Sequence, residues 1–268
     1  METQKFIPEG WEENFRPVSK EYLYKAMQTG TTMQGLVKKC DAAYNLYVDF
    51  GNQLVGMIPR EEVEAVNVDE TGFPKPNICI SKVNHYVQFK VKGIGNYDNK
   101  FILSRKAVGK EAMDWVKNEL KEGDIVHGIV KSVQPYGAFI EIGGGIVGLL
   151  HIEDISVARI KSPLERLKIG QKLQVVVKYI DRGQDRVLLS YKELLGSWEE
   201  NAKEFEEGSV VIGIAREVEK AKNGIFVELK PNLVGMAEYK EGIAYGQKVN
   251  VFIKKIIPEK KKIKLMIL

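Results

Sequence analysis

GIVKSVQPYGAFIEIGGGIVGLLHIEDI, from Gly128 to Ile155, is the segment on which the fold turns. Within it Ala138, Ile140 and Ile142 fall on one side of the chain and Phe139 and Glu141 on the other. That period of two belongs to a strand with one buried face. An apolar run led by Gly128 comes before it, and a run through Val147 and Gly148 comes after. The same order occurs twice more, as GLVKKCDAAYNLYVDFGNQLVGMIPREEV from Gly35 and as GIAREVEKAKNGIFVELKPNLVGMAEY from Gly213. There the inner sets are Leu46, Val48 and Phe50, and Ile225, Val227 and Leu229; Tyr47 with Asp49, and Phe226 with Glu228, face outward. Repetition of this kind reveals architecture before any single motif does.

Each copy resumes with a fourth and a fifth apolar run. These are QKLQVVVKYI and RVLLS in the middle copy, NICISKVNHYVQFKV and KFILS in the first, and QKVNVFIKKI and KIKLM in the third. Five short strands in about 70 residues, bounded by Gly and polar turns, predict a small closed barrel, because closure removes the sheet edges. The fold class is therefore mainly β, with three tandem five-stranded barrels joined by short helical linkers. Apolar residues spaced three or four apart predict helices over residues 106–119 and 192–205. Ser19 as N-cap and Gly30 beyond the end predict another over residues 19–29. The organisation expected is an extension at 1–30, barrels at 31–106, 121–192 and 207–268, and helical linkers at 107–120 and 193–206.

Composition narrows the class. The 268 residues are 44% hydrophobic and 28% charged, enough to build cores and too apolar for general disorder. No run approaches the roughly 18 apolar residues of a membrane span. METQKFIPEGWEENF at the N-terminus has no apolar stretch of signal-peptide length, so no export is expected. Two cysteines, Cys40 and Cys79, lie in no CxxC and suit a reducing cytoplasm. Net charge is only +4, but the segment from Ser209 to Leu268 carries 12 Lys/Arg against 6 Asp/Glu, ending in Lys260, Lys261, Lys262 and Lys264. Such an end meets a polyanion or guards a strand against aggregation; composition alone does not separate the two.

The middle copy resembles the S-one domain, the RNA-binding module named after protein one of the small ribosomal subunit. The residues that carry the likeness are Gly128-Ile-Val, Tyr136-Gly-Ala-Phe139-Ile-Glu, Gly148-Leu-Leu-His151-Ile, Gly170, Asp181, and Arg186-Val-Leu-Leu-Ser190-Tyr-Lys192. The first and third copies look like diverged members, and the resemblance implies that all three are barrels of the oligonucleotide-binding (OB) type. The resemblance implies RNA lying across the second and third strands on Tyr136, Phe139, His151 and Arg186, with Asp181 as a polar or orienting residue. Stacking a base on a ring is worth about 1–3 kcal/mol whichever base it is. Arg186, Lys131 and Lys192 would supply salt-sensitive phosphate attraction.

The outer copies depart from this pattern. The first keeps Tyr44 and Tyr47, with Lys100 at the place of Arg186, but has Pro59 in place of His151. The third keeps Phe226 and a basic Lys262, with Asn223 for the first aromatic and Glu238 for the histidine. The expected order of RNA contact is middle, first, third. An outward ring by itself is equally explained by a covering helix or barrel. Four matching groups favour the binding reading for Phe139, Phe226 alone favours the structural one, and Tyr44 and Tyr47 stay open.

Gly143, Gly145 and Gly148 fit GxGxxG, yet the chain continues into a strand, so a turn is the better reading. His85, His127 and His151 show no zinc spacing, and no phosphate-cradling loop, nucleophile elbow or HExxH is present. The expectation is a cytoplasmic, monomeric, non-enzymatic protein without cofactor or metal and without membrane contact. Its partner would be single-stranded RNA, mRNA near the small ribosomal subunit first among candidates. The alternative is an adaptor whose diverged barrels dock to the ribosome or to a nuclease complex.

Overall fold

The computed structural model describes residues 4–12, 17–66, 68–95, 100–219 and 224–268. Among the described residues, fifteen strands form three closed barrels. The first holds β1 (Met33–Cys40), β2 (Leu46–Asp49), β3 (Val55–Ile58), β4 (Tyr86–Ile94) and β5 (Phe101–Ser104). The middle one holds β6 (Ile125–Gln134), β7 (Gly137–Gly143), β8 (Ile146–His151), β9 (Lys172–Asp181) and β10 (Arg186–Ser190). The third holds β11 (Val210–Glu219), β12 (Gly224–Lys230), β13 (Leu233–Glu238), β14 (Lys248–Ile257) and β15 (Lys262–Ile267). All three share one cyclic order, first-second-third-fifth-fourth strand, in which the third and fifth run parallel.

The glycines that recur in the sequence answer to the narrowness of a five-stranded barrel. A Cβ at Gly35, Gly128 or Gly213 would stand 2.4 Å from a methyl of Val48, Ile140 or Val227, and one at Gly56, Gly148 or Gly235 would stand 2.5–2.7 Å from Leu103, Leu189 or Leu265. Each barrel therefore admits a large side chain on one strand only because its neighbour has none. Every barrel also carries the same two irregularities of register. In the first strand they leave Lys38, Lys131 and Arg216 unpaired; in the fourth, Lys92, Lys178 and Lys254. A cation at each extra residue keeps the bulge turned to water or to an acid.

Helix α1 (Lys20–Thr29) is capped by Ser19 and ends at Gly30 in the left-handed region, as the sequence predicts. Helix α3 (Arg105–Asn118) follows β5 directly, with Ser104 accepting the Ala107 N–H. Two expectations need correction. The linker read as one helix over 192–205 is a 3-10 turn, Lys192–Leu195, then α4 (Trp198–Ala202), because Gly196 at φ 80° breaks the chain and Ser197 opens a new capping box. The first part of NICISKVNHYVQFKV is helix α2 (Pro76–Ile80) with Cys79 buried, and the strand begins only at Tyr86.

Residues 4–12, read from the sequence as a plain extension, wedge between the first two barrels. Phe6 packs on Trp115 of α3, Trp11 lies against His127 with ring centroids 4.6 Å apart, and Gln4 bonds the backbone of His127 and Ile142. The triple Gly143-Gly144-Gly145 is the seat of this wedge. Added Cβ atoms there would stand 2.2–2.4 Å from Phe6, Ala112 and Arg105, respectively.

Candidate nucleic-acid interface

On the outside of the middle barrel, β7 and β8 pair so that Phe139 faces Leu149 and Gly137 faces His151; β10 adds Leu188 beside Leu149. These side chains form an apolar floor across three strands. Tyr136 sits in the turn before β7, is 48% exposed, and meets half-buried Phe139 edge to face, ring centroids 6.2 Å apart at 87°. Its carbonyl accepts the Ile152 N–H at 2.9 Å, which ties the Tyr136 turn to the 3-10 turn that begins after His151. The His151 ring nitrogen accepts the Glu153 N–H at 3.4 Å, so the imidazole caps that turn while remaining part exposed.

Arg186 opens β10 at the other end of the floor. Two strand steps and a two-residue offset separate it from Phe139, about 12 Å between Cα atoms by sheet geometry. It is exposed and has no hydrogen-bond or ion-pair partner among the described residues. Asp181, its partner across the hairpin, accepts the N–H groups of Gly183 and Gln184 at 3.0 Å each. Asp181 thus holds the turn that presents Arg186. The fold brings Tyr136, Phe139 and His151 together at one end and leaves Arg186 at the far edge.

The two lysines named with them are occupied. Lys131, at the bulge, lies 2.9 Å from the Glu141 carboxylate. Lys192 and Lys178 both bond Asp154, at 2.8 and 2.7 Å. Burial alone would raise the Asp154 pKa, but the hydrogen bonds from Lys178 and Lys192 outweigh it and hold the carboxyl below its ordinary value.

In the first barrel, Tyr47 occupies the place of Phe139, its hydroxyl 3.0 Å from Asp41. The ammonium groups of Lys100 and Lys39 stand 5.4 and 5.9 Å from its centroid. Tyr44, at φ 65° in the Asp41 turn, is half-buried against the core, with the Arg60 guanidinium 5.0 Å from its ring. These rings are engaged by the chain's own cations. In the third barrel, half-buried Phe226 faces Met236. Asn223 lies outside the described residues.

The acids of the second strands require a further correction. Glu141 and Glu228, expected on the solvent side, are 1% and 3% exposed. They point out of their own barrels and into the joints between modules. Glu228 takes Arg216 from its own barrel and Arg166 from the middle one, while Glu165 bonds Arg216 and the Tyr245 hydroxyl. At the other joint, Glu141 accepts the Glu9 N–H at 2.9 Å, and Arg105 bonds both oxygens of Glu9 at 2.8 and 2.9 Å. Burial and the facing Glu9 carboxyl push Glu141 up; burial opposes ionisation of Glu9 too, but Arg105 overcomes it and holds Glu9 low. Sequence reasoning missed both joints, since partners more than 130 residues apart, such as Glu9 and Glu141 or Gln4 and Ile142, share no local pattern. Phe6 and Trp11, large apolar groups in a presumed tail, were the available hint.

No group of three or more metal-ligating side chains occurs among the described residues, and no described helix is long and apolar enough to cross a membrane.

Against known proteins, the model of the S1 RNA binding domain, the S-one module, matches residues 119–192. Small ribosomal subunit protein bS1 of Staphylococcus aureus is 37% identical over 198 residues, covering 68% of this chain and 50% of its own. The bS1 homolog of Bacillus cereus is 33% identical over 239 residues, covering 83% and 59%. The chain thus spans about half the length of the curated relatives it matches. Among solved structures, one of an a/eIF2alpha-aDim2p-rRNA complex from Pyrococcus horikoshii matches 32% of this chain and 52% of its own at 27% identity, with a TM-score of 0.28. With one barrel matched by the family model and its strand order repeated on either side, the chain is a tandem S1-domain protein similar to ribosomal protein bS1.

Proposed function

We propose that the protein binds single-stranded RNA without chemical change, mRNA in translation being the leading target, and that it does so in the cytoplasm in association with the small ribosomal subunit. The observation that carries this reading is the middle-barrel platform. An exposed Tyr136 stands edge-on to Phe139, His151 lies beside them, and an unpartnered Arg186 marks the far edge. Splayed bases stack on the rings while Arg186 takes a phosphate, so affinity falls with salt and depends weakly on sequence. The match to the S1 RNA binding domain and the likeness to bS1 support the same reading.

Fluorescence anisotropy with a short unstructured RNA tests it. Tight, salt-dependent binding is expected, weakened roughly 5- to 150-fold by Phe139→Ala, the loss of one stacked base. Wild-type affinity in both Phe139→Ala and Arg186→Ala would remove the platform from the site. A protein that ignores RNA yet co-sediments with ribosomal subunits would favour the adaptor reading.

A further inference from the structure

The outer row that gives the middle barrel its apolar floor has a different chemistry in the third. In the middle barrel it runs Phe139, Leu149, Leu188, Tyr179; at the same register in the third it runs Phe226, Met236, Lys264, Lys255. Lys264 and Lys255 are directly opposite each other on β15 and β14, both exposed, and neither has an acidic partner among the described residues. Like charges facing across a sheet destabilise it. Lys262, at the position of Arg186, adds a third exposed cation on the same edge. Glu238, farther along β13, lies 3.5 Å from Lys254, and no acid pairs with Lys255, Lys262 or Lys264 among the described residues.

The start of this face lies beside the chain that leaves the middle barrel's site. Lys192 follows β10 by two residues, and its carbonyl accepts from Asn232, the residue before β13. Asn232 also bonds the Gly196 carbonyl and accepts the Val157 N–H, while the Ala158 N–H donates to Pro231. With Glu228 gripping Arg166 and Arg216, the joint is a fixed one. A strand leaving the His151 end of the platform therefore meets Lys262 first, then Lys264 and Lys255.

We infer that the third barrel is a phosphate-holding extension of the RNA site, reading backbone charge where the middle barrel reads base faces. This gives a role to the barrel that the sequence ranked last for its loss of the family's first aromatic and histidine. It rests on the RNA-binding reading above.

The test uses the full chain with two oligouridylates, one of about 6 nucleotides, near the small end of OB-barrel sites, and one of about 20. Lys255→Gln/Lys262→Gln/Lys264→Gln should bind the long RNA about tenfold more weakly at low salt, with the slope of log K against log salt reduced by about 2, and bind the short one as wild type does. Arg at all three positions should restore both values. A wild-type slope in the triple variant, or equal losses for both lengths, overturns the inference. Because Phe139→Ala should weaken both lengths alike, failure of the platform and failure of the extension give different patterns. Lys264→Gln alone should not lower the melting temperature, since it removes a repulsion.

Discussion

The side-chain amide of Asn232 donates to the backbone carbonyl of Lys192 across 2.6 Å, binding the third barrel to the last turn of the middle one. Its remaining polar atoms are used as well, on Gly196 and Val157, and the residue is buried. Asn232→Leu leaves two carbonyls and one N–H without partners at the joint. Each buried unpaired group costs about 1–3 kcal/mol. The expected result is a lower melting temperature, proteolytic cleavage near Gly196, and independent tumbling of the third barrel by NMR relaxation. Unchanged relaxation would show that the ion cluster at Glu228 holds the joint unaided.

At the first joint the decisive pair is Arg105 with Glu9. Glu9→Ala leaves a buried guanidinium with the Glu64 carboxylate and the Val63 carbonyl, each at 3.3 Å, and should cost about 3 kcal/mol in denaturant unfolding. Replacing both residues by Leu and Met should cost less than Glu9→Ala alone, since the Arg105 guanidinium is then not left as a buried charge without its partner. Equal costs would mean that the wedge holds by packing of Phe6 and Trp11.

Glu141 supplies the pH dependence. Burial and the nearby Glu9 raise its pKa in the folded state above the unfolded value. The folded form therefore binds the proton more tightly, and the stability this gives is present below the unfolded pKa and lost as pH rises through the folded one. Glu141→Gln keeps an oxygen for the Glu9 N–H and removes the charge. It should melt above wild type at alkaline pH, with the difference shrinking as the solution is acidified. A variant that melts below wild type at alkaline pH would mean that the lost Lys131 ion pair outweighs the relief of a buried charge.

Among the aromatics at equivalent positions, Phe139→Ala should weaken RNA binding most. Tyr47→Ala should cause a modest loss, because that ring already stands against Lys39 and Lys100. Phe226→Ala should cause almost none, the third barrel acting through its lysines. Parallel titrations of the three variants measure the order.

Alternation and repetition carried the architecture. Ala138, Ile140 and Ile142 read as an inner face because side chains on a strand must alternate, and the recurring glycines mark where two strands approach too closely for a Cβ. The candidate site was legible where its residues are local, as with Tyr136 and Phe139 three positions apart. Glu141 and Glu228 were misread because the same alternation places a residue outside its barrel without saying what stands there. The break at Gly196 was overridden in the helical reading by the apolar spacing around it.

What the sequence by itself determined is the number of barrels, their strand order of inner and outer faces, and the rings of the middle one, since all of these follow from periodicity along a single strand. Only the tertiary structure decided which outward residues reach water. Arg186 and Lys264 are left to solvent, while Glu141 and Glu228 are sealed by chain that arrives from distant positions. Contacts of that kind depend on how closed barrels dock, and docking is set by surfaces that no local repeat encodes.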